Sequence, residues 1–575
     1  MIKRLKKYVK EYKLPARLTS IFVILEVLMD VIIPMLMAKI IDVGLKNADV
    51  SYIVRVGVLM IFMAMLALMF GAGSGRFAAK ASGGFAKNVR QALFYKIQEL
   101  SFANIDKFST SSLVTRLTTD VSNVQNAYQM TIRILVRAPI MLIFAMFMCI
   151  SISPKLSMVF VAVIPILVFA LFMIMTKAQP NFIKMFKKYD LVNEVVQENL
   201  TNVRTVKAFV REDFETEKFK KASGDLKDYS IKAEKLLILS SPTMQLAMYI
   251  TMILVSWLGA KLVIGSAMSE GQLMSMFTYI MQILSSLMMI SMSFVMVTMA
   301  KSSEERICEV LDEVVDLANP EKPIEEVNSG DVQFKNVSFS YSKQESKLAL
   351  QNINLDIKSG QTVGIIGGTG SAKTSLVQLI PRLYDVTDGE VLVGGQDVRS
   401  YDIDALRRAV AVVLQKNVLF SGSIKDNLRW GNEQASDEEM IHACRLAQAD
   451  DFITSFPDGY DTHIEQGGSN VSGGQKQRLC IARALLKSPK VLILDDSTSA
   501  VDTHTDALIR KALREEIPGT TKIIIAQRIS SVEEADLIIV MDDGQINGVG
   551  THEELLKSNE IYREVYNSQM KGSEE

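Results

Sequence analysis

The 575-residue sequence has little of what a disulfide-bonded, metal-binding or nucleic-acid-binding protein requires. Its histidines number four and are scattered, and its formal net charge of −1 gives nucleic acid no electrostatic reason to bind. The four cysteines form no CxxC pair, so neither a disulfide framework nor a cysteine metal site is indicated. They are Cys149, Cys308, Cys444 and Cys480.

Charge is also missing from long stretches of the first 300 residues. Hydrophobic residues make up 49% of the chain and charged residues 22%, and the mean hydropathy is +0.20. These values indicate a membrane domain followed by a soluble one. Six apolar stretches reach the length of about 20 residues that a membrane-spanning helix needs. The predicted spans lie near 17–39, 55–77, 131–152, 156–176, 238–262 and 273–298.

The distribution of basic residues predicts the topology. Residues 1–14 are basic and carry no signal cleavage site. They are predicted to form an amphipathic helix on the inner membrane surface, the alternative being a solvated basic start to a helix. The long polar gaps 78–130 and 177–237 should lie in the cytoplasm with both termini, which predicts a multi-pass protein of the cytoplasmic (inner) membrane. Each gap has the length of a helix, a turn and a helix. The turns, near 104–112 and 207–214, could press on a cytoplasmic domain or be plain surface loops.

The composition changes after the sixth span. Residues 1–305 are assigned to the transmembrane domain, and the acidic segment 306–330, with Pro320 and Pro323, to a linker. From 331 to 570, short β-rich runs alternate with helical segments. That alternation predicts an α/β domain with a mainly parallel sheet.

A glycine-rich segment after the apolar strand 362–366 nearly matches the phosphate-binding pattern GxxxxGK[ST]. Its backbone N–H groups should surround the β-phosphate, Lys373 should supply positive charge, and Thr374 should ligate Mg²⁺. Ala372 stands where the second defining glycine belongs, and a helix-like backbone is expected there. The predicted nucleotide-binding residues are Gly367, Gly368, Thr369, Gly370, Ser371, Ala372, Lys373, Thr374 and Ser375.

Two further segments accompany this loop. The apolar strand 491–494 leads into Asp495, the form expected of a Mg²⁺-associated carboxylate. Residues 471–475 read Val-Ser-Gly-Gly-Gln. With this run, the sequence strongly resembles the ATP-binding cassette (ABC) transporters over nearly its whole length. The resemblance implies the type IV exporter fold: an α-helical six-span domain followed by an α/β P-loop ATPase domain with an α-helical subdomain.

The resemblance also implies roles for individual residues, with ATP and Mg²⁺ as cofactors. Tyr341 resembles the aromatic residue that stacks on adenine, Gln415 the glutamine that contacts Mg²⁺ and senses the membrane domain, and residues 499–502 the loop at the dimer seam. In this family each ATP lies between one chain's phosphate loop and the other chain's signature motif. The signature residues, which would complete the partner's site, are Ser472, Gly473, Gly474 and Gln475.

Two positions depart from the family pattern. Asp496 occupies the position of the catalytic glutamate, and Gln527 that of the switch histidine. The shorter carboxylate is withdrawn by more than ~1 Å, and glutamine brings no titratable proton. Together they predict a site that binds ATP but hydrolyses it poorly. Two copies would give two impaired sites, so we expect a heterodimer with a homologous half-transporter.

The predicted spans contain two notable features. Glu26 and Asp30 on the first, and Arg133 and Arg137 on the third, are spaced i, i+4. They are expected to pair as acid and base, within the chain or across the dimer. Their role is left open between structure and substrate or gating. The methionines of the fifth and sixth spans suit either a pocket for varied apolar compounds or lipid-facing filler.

The resulting hypothesis is ATP-driven export of amphipathic or lipophilic compounds by one half of a heterodimer in the lipid bilayer. The alternatives are a lipid or peptide exporter or an importer on the same fold, or a nucleotide-dependent membrane regulator that transports nothing.

Overall fold

The computed structural model describes residues 4–342, 347–497 and 501–571, with the side chains of 294, 295, 298, 299, 570 and 571 left out. The chain forms two compact units. The first, called the membrane unit below, comprises Met1–Gln98 and Thr110–Glu313. The second, the cassette unit, comprises Glu99–Ser109 and Val314–Glu575.

The membrane unit is helical. It begins with the 3-10 helix Leu5–Tyr12, and π-helical turns Ile40–Leu45 and Arg116–Asp120 interrupt the longer helices. Within the described residues, six helical stretches are long and apolar enough to cross a membrane. Five of the predicted spans lie within them, and the sixth, near 273–298, begins within Glu270–Ser293 and extends beyond it. The helices are α1 (Lys13–Lys39), α2 (Val50–Glu99), α4 (Thr110–Thr115), α5 (Val121–Ile152), α6 (Pro154–Thr201), α7 (Val203–Ala208), α8 (Glu212–Leu237), α9 (Ser240–Ile264) and α10 (Glu270–Leu311).

The core of this unit lies where α1, α5, α6, α9 and α10 meet. Tyr279 on α10 is fully buried there, and its hydroxyl donates to the Val31 carbonyl oxygen on α1 at 2.8 Å. A buried phenol needs such a partner. The N-terminal segment also packs on protein: Leu5 and Val9 are buried in this unit, and Asn88 on α2 donates to the Tyr8 carbonyl oxygen. The position of residues 1–14 on the membrane surface stays a prediction.

The helix–turn–helix prediction for the two long gaps matches the chain's course. The second gap turns at 202–211, between α6 and α8, and leaves Phe209 and Val210 exposed. The first turns around α3 (Phe102–Lys107), which belongs to the cassette unit. There the Tyr384 hydroxyl donates to an Asp106 carboxylate oxygen at 2.6 Å, and the Phe102 ring lies edge-on to Tyr384.

The predicted linker 306–330 is too long at its start. Helix α10 continues to Leu311, because Ile307, Cys308 and Val310 are buried and extend its packed face. The acidic residues interpreted as a linker signal lie partly on the exposed side of this helix. β structure begins with an isolated bridge at Ile324, followed by the first strand at Val332.

The cassette unit holds two main sheets. The six-stranded sheet has the order β12-β11-β3-β10-β9-β6 and is parallel except for β12. A four-stranded antiparallel sheet, β2-β1-β4-β5, was not anticipated. The strands are β1 (Val332–Phe339), β2 (Leu350–Ile357), β3 (Thr362–Gly367), β4 (Asp388–Val393), β5 (Gln396–Asp397), β6 (Val410–Val413), β7 (Gly422–Ser423), β8 (His463–Ile464), β9 (Val491–Asp495), β10 (Thr521–Ile525), β11 (Leu537–Asp542) and β12 (Gln545–Gly550).

The parallel strands of the six-stranded sheet end at one edge, and the candidate site lies there. Strand β10 lies between β3 and β9, so the loops after these three strands are neighbours. Ligands of open α/β sheets bind at such carboxyl ends. The helices of this unit are α3, α11 (Lys373–Gln378), α12 (Ile403–Ala409), α13 (Ile424–Arg429), α14 (Asp437–Leu446), α15 (Asp450–Thr454), α16 (Gly473–Leu485), α17 (Thr503–Glu516), α18 (His552–Ser558) and α19 (Glu560–Lys571).

Candidate nucleotide site and the intramembrane charges

Lys373 lies at the centre of the candidate site, at the start of α11. Its ammonium donates to the carbonyl oxygens of Gly367 and Gly368, both at 2.8 Å, and to the Ser371 hydroxyl at 3.2 Å. Burial lowers the pKa of Lys373, and the nearby carboxylates of Asp495 and Asp496 oppose that shift. The loop therefore holds a cation over its own backbone, at the place where phosphate oxygens are predicted to bind.

Gly367 shows why the loop starts with glycine. A Cβ added there would lie 2.2 Å from the Met541 carbonyl oxygen on the neighbouring strand β11. No real side chain tolerates that distance. Gly367 therefore lets the chain leave β3 close to β11.

Ala372 does not have the helix-like backbone expected of it. Its φ of +67° and ψ of +25° place it in the left-handed region immediately before α11. The turn from loop to helix requires a positive φ, which glycine adopts freely and alanine adopts at a cost of about 1 kcal/mol. The substitution keeps the loop's shape and adds backbone strain.

Asp495 and Thr374 meet beside the loop. The Thr374 hydroxyl donates to Asp495 Oδ1 at 3.0 Å. Burial raises the pKa of Asp495, with a further contribution from Asp496. The exposed Gln415 follows β6, the strand next to β9. Hydroxyl, carboxylate and amide oxygens are the ligands Mg²⁺ prefers, so these three residues fit the predicted ion, which would offset phosphate charge.

Asp496 and Gln527, the two unusual positions, are hydrogen-bonded to each other. Gln527 Nε2 donates to Asp496 Oδ2 at 2.8 Å. They meet because β9 and β10 are adjacent parallel strands, and the Asp496 N–H donates to the Ile525 carbonyl oxygen at 3.1 Å. The amide of Gln527 thus holds one oxygen of the carboxylate that stands at the catalytic-base position.

One residue near this pair, Gln569, was not predicted from the sequence. Gln569 on α19 donates to the Gln527 carbonyl oxygen at 2.8 Å and accepts from the Ile529 N–H at 2.9 Å. It fixes the backbone on either side of Arg528. No local signal marks this glutamine, because the contact joins segments 40 or more residues apart.

Tyr341 lies at the other end of the loop. It is 49% exposed, and its ring packs edge-on against Phe339 and Tyr384. Its hydroxyl lies 2.9 Å from the Ser375 hydroxyl. An exposed ring face held in this way can accept a stacked base.

The signature residues begin the 13-residue helix α16. The Ser472 hydroxyl accepts from the Gln475 N–H, and Gln475 Oε1 accepts from the Ser472 N–H at 2.9 Å, which completes a capping box. Ser472 and Gly473 are exposed. Across residues 472–475 and 367–375, all of them described, no hydrogen bond joins the two segments. Of the predicted seam loop, residues 499 and 500 lie outside the described residues, and Asp502 caps α17.

In the membrane unit, one of the two arginines that were expected to pair with the acids of α1 does so. Arg137 forms ion pairs with both Glu26 and Asp30 of α1, the latter at 2.9 Å. In the described part of the chain Arg133 forms no ion pair. The two acids lie one turn apart, so a single guanidinium reaches both of them.

A phosphate loop, a carboxylate-ended neighbouring strand and a serine–glycine helix start within one α/β unit, preceded by six apolar helices, define a membrane-bound P-loop ATPase. The chain belongs to the ABC transporter family. Residues 18–287 match the family model described as ABC transporter transmembrane region, and residues 350–499 the model described as ABC transporter.

Relatives match over most of their length. An uncharacterized ABC transporter ATP-binding protein, YfiB of Bacillus subtilis (strain 168), is 36% identical over 569 residues, covering 99% of each chain. The ATP-dependent lipid A-core flippase of Syntrophus aciditrophicus (strain SB) is 31% identical over 485 residues, 84% of this chain and 80% of its own.

The structure matches a bacterial Atm1-family ABC exporter with ATP bound, with a TM-score of 0.83 over 98% of this chain and 99% of that one, at 24% identity. The predicted fold class is confirmed: a six-helix transmembrane domain of the type IV exporter kind precedes an α/β ATP-binding domain. The protein is a half-transporter whose ATPase activity is coupled to transport. The roles of individual site residues remain predictions.

Proposed function

We propose that this chain is the weakly hydrolysing half of a heterodimeric exporter in the cytoplasmic membrane, with both termini in the cytoplasm. It moves amphipathic or lipophilic compounds outward, and its own Walker site binds ATP with Mg²⁺ but cleaves it slowly. The observation that carries the proposal is the hydrogen bond between Gln527 and Asp496.

The Asp496–Gln527 pair limits general-base catalysis in two ways. Aspartate is one methylene shorter than glutamate, and a displacement of about 1 Å can cost about 10²-fold in rate. A base must also reach the proton it takes, yet the Gln527 amide already donates to Asp496 Oδ2 at 2.8 Å. Glutamine cannot accept that proton in turn, as histidine could. Both features favour ATP retention over cleavage.

The exposed start of α16 supports the dimer. Ser472 and Gly473 face solvent in the single chain, at the start of a 13-residue helix whose capping box uses the N–H groups of Ser472 and Gln475 and leaves those of Gly473 and Gly474 to a ligand. Such a helix end favours anions. In a head-to-tail dimer it would complete the partner's site, whose catalytic residues hydrolyse the ATP. Opening and closing of the two cassettes then turns the membrane cavity outward.

Lipid export is a second candidate, and the likeness to the lipid A-core flippase favours it. The two candidates share the heterodimer and the ATP chemistry and differ in the cargo. ATP-dependent movement of a labelled lipid between leaflets of reconstituted vesicles, compared with uptake of a soluble dye panel, separates them.

The test of the weak site uses Asp496→Asn in the purified pair of this chain with its partner. Because this carboxylate contributes little to hydrolysis, we expect ATPase activity to change by less than about 2-fold. The matched control is the corresponding carboxylate-to-amide change in the partner, which should reduce activity by about 10²-fold or more. A collapse of activity on Asp496→Asn, or brisk hydrolysis by this chain without a partner, contradicts the proposal.

A further inference from the structure

Two cavities in the membrane unit share a wall. The larger, of about 680 Å³, is lined by amides and guanidiniums from α5 facing methionines of α10. The smaller, of about 380 Å³, is lined by methionines and other apolar residues of α5, α6, α9 and α10. Met130, Ile134, Met289 and Met296 line both. Both volumes fall in the range of small-ligand pockets. Because they share these lining residues, the two cavities adjoin, and below they are taken together as one space with a polar and an apolar end.

The polar end holds two guanidiniums, one of which forms no ion pair within the described residues. The described residues that line it include Arg133 and Arg137, and none of them has a carboxylate. Arg137 is offset by Glu26 and Asp30, which approach it from α1. Arg133 lies beside α2, where a Cβ added to Gly75 would be 3.8 Å from its guanidinium, and it forms no ion pair in the described part of the chain. An intramembrane charge of this kind is costly and ordinarily marks a ligand or partner site.

The apolar end has the opposite character. Met244, Met288 and Met292 line it with Leu171 and Met175, and in the described lining the polar residues are serines. Methionine side chains are unbranched and polarizable, so they adapt to apolar bodies of different shape. This end offers no group that would hold a charge.

We propose that this space binds an amphipathic anion, with the headgroup on Arg133 and the apolar body among the methionines of α9 and α10. This inference rests on the proposed export function and names its substrate class. A carboxylate, sulfonate or phosphate can take two parallel hydrogen bonds from a guanidinium, and the low polarity of the site strengthens that contact. A cationic amphiphile of the same shape meets the guanidinium of Arg133, which no acid offsets in the described part of the chain, and is disfavoured.

The test measures binding without ATP, so that it does not depend on transport. The heterodimer in nanodiscs of a zwitterionic lipid is titrated with pyrenyl-dodecanoate, its methyl ester and the matching alkylamine. We expect the carboxylate to bind at least about 10-fold more tightly than the ester or the amine. Arg133→Gln should remove about 10-fold of affinity for the carboxylate, a change of about 1.4 kcal/mol, and leave the ester unaffected. Arg133→Lys should restore part of the loss.

A tail control separates charge from shape. Met292→Gln, at the apolar end, should weaken carboxylate and ester by similar factors. Nanodiscs containing an anionic phospholipid identify the source of the natural headgroup: competition with the carboxylate probe indicates a bilayer lipid, and its absence indicates a free amphiphile.

Equal affinities for carboxylate and amine would overturn the proposal. So would an Arg133→Gln variant that binds the carboxylate normally but unfolds at a lower temperature, because Arg133 would then pair with a carboxylate of the partner. Charge-selective binding in a complex that transports nothing would leave this inference intact and reject the export function.

Discussion

The two elements of this chain that are predicted to face nucleotide differ in how far they retain the features that ATP hydrolysis requires. The start of α16 has the full Ser-Gly-Gly-Gln run, a complete capping box and an exposed first turn. The loop before α11 carries alanine in a left-handed conformation, and the base position carries an aspartate held by a glutamine. The first element would serve the partner's ATP and the second this chain's own.

This difference separates binding from catalysis. Lys373 is held over its own loop and Thr374 donates to Asp495, so the groups predicted to bind phosphate and metal are in place. Each departure affects proton transfer or backbone strain instead. Binding tolerates such changes because several groups share the charge of the phosphates, whereas general-base catalysis depends on one atom at one distance.

The largest expected effect is at the signature helix. Ser472→Asp keeps a residue that caps helices well but places a carboxylate against the partner-bound triphosphate. We expect ATPase activity of the heterodimer to fall by about 10²-fold, comparable to the loss of a transition-state donor, with little change in unfolding temperature. Steady-state phosphate release measures it.

Ser472→Asn is the matched control for that change. It caps the helix equally well without the charge, and should retain activity within about 10-fold. If both variants were equally active, α16 would not face a nucleotide, and the contrast between the two elements would lose its basis.

A smaller effect, of opposite sign, is expected from restoring this chain's own site. The double change Asp496→Glu with Gln527→His restores both the longer carboxylate side chain and a titratable partner. In a heterodimer whose other site has been disabled, we expect residual ATPase activity to rise by about 10-fold or more. The single changes should each give less, because base and orienting group act as a unit. No rise in the double variant would mean that Ala372 or another feature limits this site.

The sequence predicted the nucleotide site better than its surroundings. Lys373, Thr374 and Asp495 could be proposed from the sequence because their predicted chemistry requires fixed residue types at fixed spacing, and in the structure Thr374, next to Lys373 in the chain, donates to Asp495. The contact of Gln527 with Asp496 depends on the order of the strands in the sheet, which is difficult to predict from a single sequence. The Gln569 contact with the Gln527 backbone joins α19 to a loop far along the chain, so local pattern had no access to it.

The membrane unit shows the same limit. Helical spacing put Glu26 with Asp30 and Arg133 with Arg137, and the two pairs were expected to meet as acid and base. In the structure both acids form ion pairs with Arg137, because the rotation and offset of α1 relative to α5 depend on packing across the whole unit. The four-stranded sheet was missed for a related reason: its strands pair between distant segments, and β5 has only two residues.

The smallest expected effect concerns Ala372, whose φ of +67° is costly for any residue with a Cβ. Ala372→Gly should raise the stability of the nucleotide-free cassette by about 1 kcal/mol, or about 2–4 °C in unfolding midpoint for a domain of this size. Thermal unfolding of the heterodimer measures the shift. Ala512 is a matched control, since it is also partly buried but lies within helix α17. There the same substitution should destabilise by about 1 kcal/mol. Equal destabilisation by both changes would show that the loop does not hold Ala372 in a left-handed conformation. Backbone strain would then not contribute to the difference between this site and its partner's.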